Sequence, residues 1–198
     1  MKEKESFNMS QTFETYAGQL LIAMPEMLDS NFSQTVSVIC EHSKHGAIGV
    51  IINRKHPKLN AKDIFDDIKI NCIPKAHDIP VYVGGPAKTR QIFILHGSPF
   101  YWKGTVKITS QLAITTSLDV INGIAIGEGP KDYLIALGYA GWEQGQLESE
   151  MMSNAWFLAP ADEKIIFDTP VDQRWQNAGQ LIGINPNLIC NVQGTKLC

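Results

Sequence analysis

The sequence predicts an α/β protein of the α+β type, a compact mixed β-sheet or sandwich flanked by helices. Three observations predict it. Short β-branched and apolar runs, bounded by Gly, Pro, Asn and Asp, recur along the chain as strands do. Other segments carry their apolar residues at helical spacing. The two kinds are mixed without strict alternation, which disfavours a doubly wound parallel sheet.

The first predicted strand is Gly18 to Met24, closed by Pro25, which cannot donate to a ladder. Residues 26–34 read as a loop, with Asp29, Ser30 and Asn31 supplying turn chemistry. Thr35 to Glu41 is a β-branched, nearly alternating strand. After a turn at His42–Gly46 its hairpin partner is Ala47 to Asn53, apolar enough for burial on both faces. Residues 60–68 read as a short helix with Ile64, Phe65 and Ile68 inward. Strands follow at Pro80–Val83, Gln91–His96 and Thr105–Thr109, with a loop over Gly97–Gly104.

Ser117 caps a predicted helix through Leu118, Val120 and Ile121, with Gly123 near its end. Gly127–Pro130 is a loop and Asp132–Tyr139 a buried strand. Gly145 opens a predicted helix over 146–158, with Leu147, Met151, Ala155 and Leu158 on one face. Ile165–Phe167 reads as a short strand. Thr169 caps the last helix, Pro170 is its first residue, and Val171, Trp175, Ala178 and Ile182 form its inner face up to Gly183. The organisation expected is a flexible tail over 1–17, one domain over 18–183 and a loosely ordered segment over 184–198.

Composition narrows the function classes. The chain has 198 residues, 44% hydrophobic and 19% charged, the balance of a globular protein. A net charge of -3 argues against a nucleic-acid protein. Arg54, Arg90 and Arg174 are the arginines that could fork onto guanine or phosphate. Residues 1–12 lack a signal peptide's apolar stretch, and Leu20–Met24 is too short to span a bilayer. The expected location is cytoplasmic, with no membrane partner. The four cysteines, Cys40, Cys72, Cys190 and Cys198, form no C-x-x-C pair and read as reduced thiols.

Four constellations could carry chemistry. Cys40-Glu41-His42 with His45 ends a strand. Alternation places Cys40 and His42 on one face and Glu41 on the other, which would suit a His-activated thiol or a Cys-His metal set. A buried, inert Cys40 is the competing reading, and neither metal nor cofactor is expected. Gly84-Gly85-Pro86 could turn amides toward an anion or simply form a tight turn. It is neither a Walker loop nor a Rossmann fingerprint. Gly138 to Glu148 runs toward a helix with three glycines and two aromatics, as a pocket mouth or as packing. Glu148 and Glu150 near that helix start offset its dipole and, two apart, do not face each other. Residues 42–62 hold Lys44, Arg54, Lys55, Lys58, Lys62 and no acid, a basic loop that could meet an acidic partner or nucleic acid. No G-x-S-x-G elbow and no helix-turn-helix signature occurs.

These segments resemble the YqgE/AlgH family of bacterial proteins. The matching pieces are Leu20–Pro25 with Asp29 and Phe32, Cys40–His42, Gly46–Asn53, and Gly84–Pro86 with His96. Gly138–Trp142 running to Gln146–Glu148, Asn154–Trp156 and Arg174–Trp175 complete the match. The resemblance implies a mixed sheet with flanking helices. It also implies a regulatory role of the kind proposed for AlgH in alginate production, without a DNA-binding fold or an established catalytic set. The expected function is therefore a regulatory or binding protein, monomer or small homo-oligomer, recognising a small ligand or a protein partner. The expected pocket gathers Glu41, His42, Asn53, Gly84, Gly85, His96, Trp142 and Glu148. The alternatives are a hydrolase or transferase using His42 with Glu41 or Glu148, and direct nucleic-acid binding through residues 42–62.

Overall fold

The computed structural model describes residues 14–189. Among them one curled sheet is built from ten strands. These are β1 (Gln19–Ala23), β2 (Val36–Ser43), β3 (Gly46–Ile51), β4 (Lys55–Asn60), β5 (Pro80–Val83), β6 (Ala87–His96), β7 (Val106–Lys107), β8 (Ala113–Thr115), β9 (Tyr133–Glu143) and β10 (Trp156–Pro160). The helices are α1 (Ala61–Asp67), α2 (Leu118–Ile126), α3 (Gln146–Met152), α4 (Arg174–Gln180) and the single turn α5 (Pro186–Ile189). The sheet order is β10-β1-β2-β3-β9-β6-β8-β7, and β5 joins β9 with β4 outside it. The β5–β9 pair is parallel and the others antiparallel, so the sheet is mixed, as the sequence predicts.

Side-chain alternation divides the core in two. On the inner face Leu20, Val38, Val50, Leu95 and Leu134 pack together and are closed by Trp175 and Ala178 of α4. The Trp175 indole donates to the Ala23 carbonyl at 2.9 Å. The buried Arg174 donates to the carbonyls of Thr169 and Ile52, tying α4 to the end of β3. On the outer face α1 and α2 bury Phe65 and Ile124 against Ile94 and Ile135. Leu147 of α3 covers Ile39, Ala140 and Trp142. Two helices start on side-chain caps. Asn60 and Asp63 form a capping box on α1, and Ser117 accepts the Asp119 amide on α2.

One crossing shapes the sheet. Val83 and Ile92 both pair with Leu137, so β5 and β6 lie on opposite sides of β9. The chain between them passes over β9 at Gly84 and Gly85. A Cβ on Gly85 would lie 2.1 Å from the Tyr139 carbonyl carbon, and one on Gly84 would lie 2.3 Å from the Gly138 oxygen. Only glycine lets two backbones come this close.

Several predicted elements differ. The helix expected over 146–158 stops at Met152. Asn154 takes φ 55°, and Trp156–Pro160 becomes β10, in register with all of β1. Leu158 therefore owes its burial to a strand. Residues 165–167 are part of a π-helical turn, Lys164–Asp168, started by Asp162 accepting the Ile165 amide. Thr169 does not cap the last helix. Its hydroxyl donates to the Lys164 carbonyl, a 3₁₀ turn spans Val171–Gln173, and α4 begins at Arg174. Gly123 lies inside α2 under the Trp102 ring. The basic loop contains a strand, β4. Residues 1–13 of the expected N-terminal tail and 190–198 of the C-terminal segment lie outside the described residues, as do Cys190 and Cys198. The end of that first tail, Thr15 and Tyr16, is docked on the domain.

Candidate functional site

The register of β2 decides where its side chains go. Ile39 pairs with Gly49 and Glu41 with Ile48, which leaves Cys40 as an extra residue, a β-bulge. Past it the alternation is reversed. Cys40 belongs to the inner core with Val38 and Val50, and His42 pairs with Ala47 toward the outer face. The sequence expectation that Cys40 and His42 share a face is therefore wrong, and the Cys40–His42–His45 grouping does not form. Burial pushes the Cys40 thiol up to about 12, the opposite of an activated nucleophile.

His42 is held on every side. Its Nδ1 accepts the Tyr16 amide at 2.9 Å, which places the ring proton on Nε2, and Nε2 donates to Glu148 Oε1 at 3.0 Å. The Tyr16 ring stacks on the imidazole at 4.8 Å and 3°. The His42 side chain is 1% exposed and that of Glu148 35%. This arrangement fastens the segment before β1 to the hairpin end and to α3. Two residues further along α3, Glu150 does similar work. Its Oε2 accepts both the Trp142 and Trp156 indole N–H groups at 2.9 and 2.8 Å, and its Oε1 accepts Gln146.

The bulge turns Glu41 onto the inner face at the end of the sheet that α4 leaves uncovered. Two clefts meet there. One, of about 430 Å³, lies between the β2–β3 turn and β9 and includes Glu41, His45, Ile48, Tyr139, Gly141 and Glu143. The other, of about 170 Å³, continues toward β7 and β8 along Phe93, Val106 and Ile114. Glu41 and Ile48 belong to both, so the clefts form one groove. Phe93 and Tyr139 meet edge to face at 5.7 Å and build an aromatic wall. Among the described residues no lysine or arginine lines either cleft.

The eight predicted site residues fall into separate places. Glu41 and the backbone edge of Trp142 line the groove. His42 and Glu148 meet each other on the outer side. Gly84 and Gly85 make the crossing. The Gly84 amide donates to Leu137 and its carbonyl accepts from Ile51, both at 2.8 Å, so no nest faces a ligand. Asn53 joins Val36 and Gln34 at the far end of the β2–β3 pair, about 20 Å from His42 at strand rise. His96 is fully buried, its Nδ1 2.7 Å from the Gly97 carbonyl and its Nε2 without a partner among the described residues. The single eight-residue pocket does not form. Ile48, Phe93 and Val106 of the groove carry no chemical signature in the sequence, and Glu150 shows there only as a dipole partner.

The basic stretch is dispersed as well. Lys44 sits in the hairpin turn, Arg54 donates to the Ser33 carbonyl at 2.8 Å, Lys55 and Lys58 lie on β4, and Lys62 pairs with Asp66 on α1. Among the described residues no helix is long and apolar enough to cross a membrane.

Comparison with known proteins places this architecture. A family model described as AlgH-like matches residues 20–187. The UPF0301 protein AlgH of Pseudomonas aeruginosa is 44% identical over 184 residues, covering 91% of this chain and 96% of that one. A UPF0301 protein of Methylococcus capsulatus is 41% identical over 187 residues, covering 94% and 99%. The solution structure of the Pseudomonas aeruginosa AlgH protein superposes with a TM-score of 0.76 at 39% identity over 100% of both chains. A crystal structure of a Corynebacterium diphtheriae protein shares the fold, with a TM-score of 0.70 at 22% identity over 92% and 95% of the chains. On the match of family model, sequence and fold, this chain belongs to the AlgH-like family.

Proposed function

We propose that the protein is a cytoplasmic regulatory binding protein that takes an extended, positively charged segment of a protein partner into the inner-face groove. One observation carries this reading: the bulge at Cys40 sets Glu41 midway along a groove with apolar and aromatic walls, with Glu143 near one end and, among the described residues, no lysine or arginine along it. Apolar and aromatic walls supply contact area, and the carboxylates select charge and register. The groove is open and long, which suits a chain segment better than a small molecule enclosed on most sides.

The hydrolase or transferase reading has less support. A general base needs a lone pair that can reach substrate. The Nδ1 lone pair of His42 is taken by Tyr16, Nε2 by Glu148, and Glu41 points away from both. Direct nucleic-acid binding also has less support, since its cations are spread over a turn, a strand and a helix.

The test is a titration of isotope-labelled protein with a peptide of alternating Lys and Leu, against its Glu–Leu counterpart. Amide shifts are expected at Ile48, Phe93 and Gly141 for the basic peptide, weakening with salt. Glu41→Gln should weaken binding about tenfold, the scale of one charge contact. No response in the groove, or an equal response to the acidic peptide, removes the reading.

A further inference from the structure

A second cleft lies on the other side of the molecule, at the C-terminal end of α2. It has a volume of about 360 Å³, within the size range of small-molecule sites. Its floor is apolar, built from Ile73, Ala76, Ile79 and Ile124, and Lys75, Lys131 and Tyr133 stand along it. Lys75 comes from the 3₁₀ turn Pro74–Ala76, Lys131 from the loop before β9, and Tyr133 from the first residue of β9.

The polar side chains that line the cleft, Lys75, Lys131 and Tyr133, can all donate. Neither lysine makes an ion pair among the described residues. The acids nearest in sequence, Asp78, Glu128 and Asp132, do not line the cleft. Three carbonyls of the last turn of α2 are occupied: Gly123 by the Glu128 amide, Ile124 by the Gly127 amide and Ala125 by the Ile73 amide. Burial raises the Tyr133 phenol, which keeps it protonated and a donor at neutral pH.

We propose that this cleft binds a small organic anion with a flat apolar body, the anionic group between Lys75 and Lys131 and the body on the isoleucine floor. The site is separate from the inner-face groove and stands or falls independently of it. A lysine pair accepts carboxylate and phosphate alike as point charges. The apolar floor is what separates an organic anion from a bare inorganic one.

The experiment titrates isotope-labelled protein with phenyl phosphate, benzoate, inorganic phosphate and phenol. Saturable shifts at Ile73, Ile124 and Tyr133 are expected with phenyl phosphate or benzoate. Binding at least tenfold weaker is expected for inorganic phosphate and for phenol. The Lys75→Met/Lys131→Met double variant, altered at two exposed positions, should lose at least tenfold in affinity with its spectrum otherwise retained. Whichever of the two anions binds more tightly identifies the head group. Three results would overturn the proposal: no saturable response, binding unchanged in the double variant, or a variant that loses only thermal stability because the lysines serve to offset the negative end of α2.

Discussion

At the scale of residues, buried polar groups explain more than the apolar ones. Glu150 holds two indole N–H groups whose rings are 5% and 3% exposed. Glu150→Ala should cost about 3 kcal/mol, since a buried donor deprived of its partner costs roughly 1–3 kcal/mol. Glu150→Gln, which keeps an acceptor, should recover most of it. Urea denaturation followed by tryptophan fluorescence measures both. His96 gives a pH dependence. Burial lowers its pKa, against a smaller raising effect of the Gly97 carbonyl. The unfolded chain takes up that proton as pH falls through about 6.5, and the folded chain resists it until lower pH. Stability is therefore full above this value and falls below it. His96→Gln, which keeps a donor for Gly97, should show a smaller loss between pH 7.5 and 5.5 than the parent. An equal loss would assign the dependence to other groups.

At the scale of elements, local signals were legible and long-range ones were not. The β2–β3 hairpin, the short helix near residues 60–68 and the Ser117 cap of α2 are written in adjacent residues, and the structure places them as read, with Asn60 as the cap of α1. The bulge at Cys40 has no such signature, because it is fixed by pairing with Gly49 and Ile48 across the ladder. One unread residue therefore reversed the faces of Cys40 and His42. The helix over 146–158 failed for a related reason: Leu158 satisfies helical spacing and strand alternation equally, and pairing with β1 decides. The glycines at 84 and 85 announce a special backbone without saying whether a ligand or another backbone is near. Here it is a backbone. Gly85→Ala should therefore cost about 3 kcal/mol or more, because its Cβ meets main-chain atoms of Tyr139 and Ala140 that cannot move aside. Gly141→Ala, whose Cβ would meet the edge of the Tyr139 ring at 3.1 Å, should cost far less. Thermal unfolding of the two variants gives the comparison.

At the scale of the whole molecule, the fold closes most of the inner face with α4 and leaves one end open. The fold class was legible because hydrophobic periodicity and turn residues carry it. The candidate site was legible only through Glu41 and Trp142, since a groove is made by strands far apart in sequence and by apolar residues indistinguishable from core. In this chain the bulge at Cys40 thus turns the Glu41 carboxylate into the groove, with Glu143 near one end. The most direct test replaces Ile48 with a photo-crosslinking amino acid in living cells. A discrete adduct to one protein, lost when Glu41→Lys is added, is the result expected. No adduct from position 48, or an adduct indifferent to the charge at 41, would contradict the groove as the recognition surface.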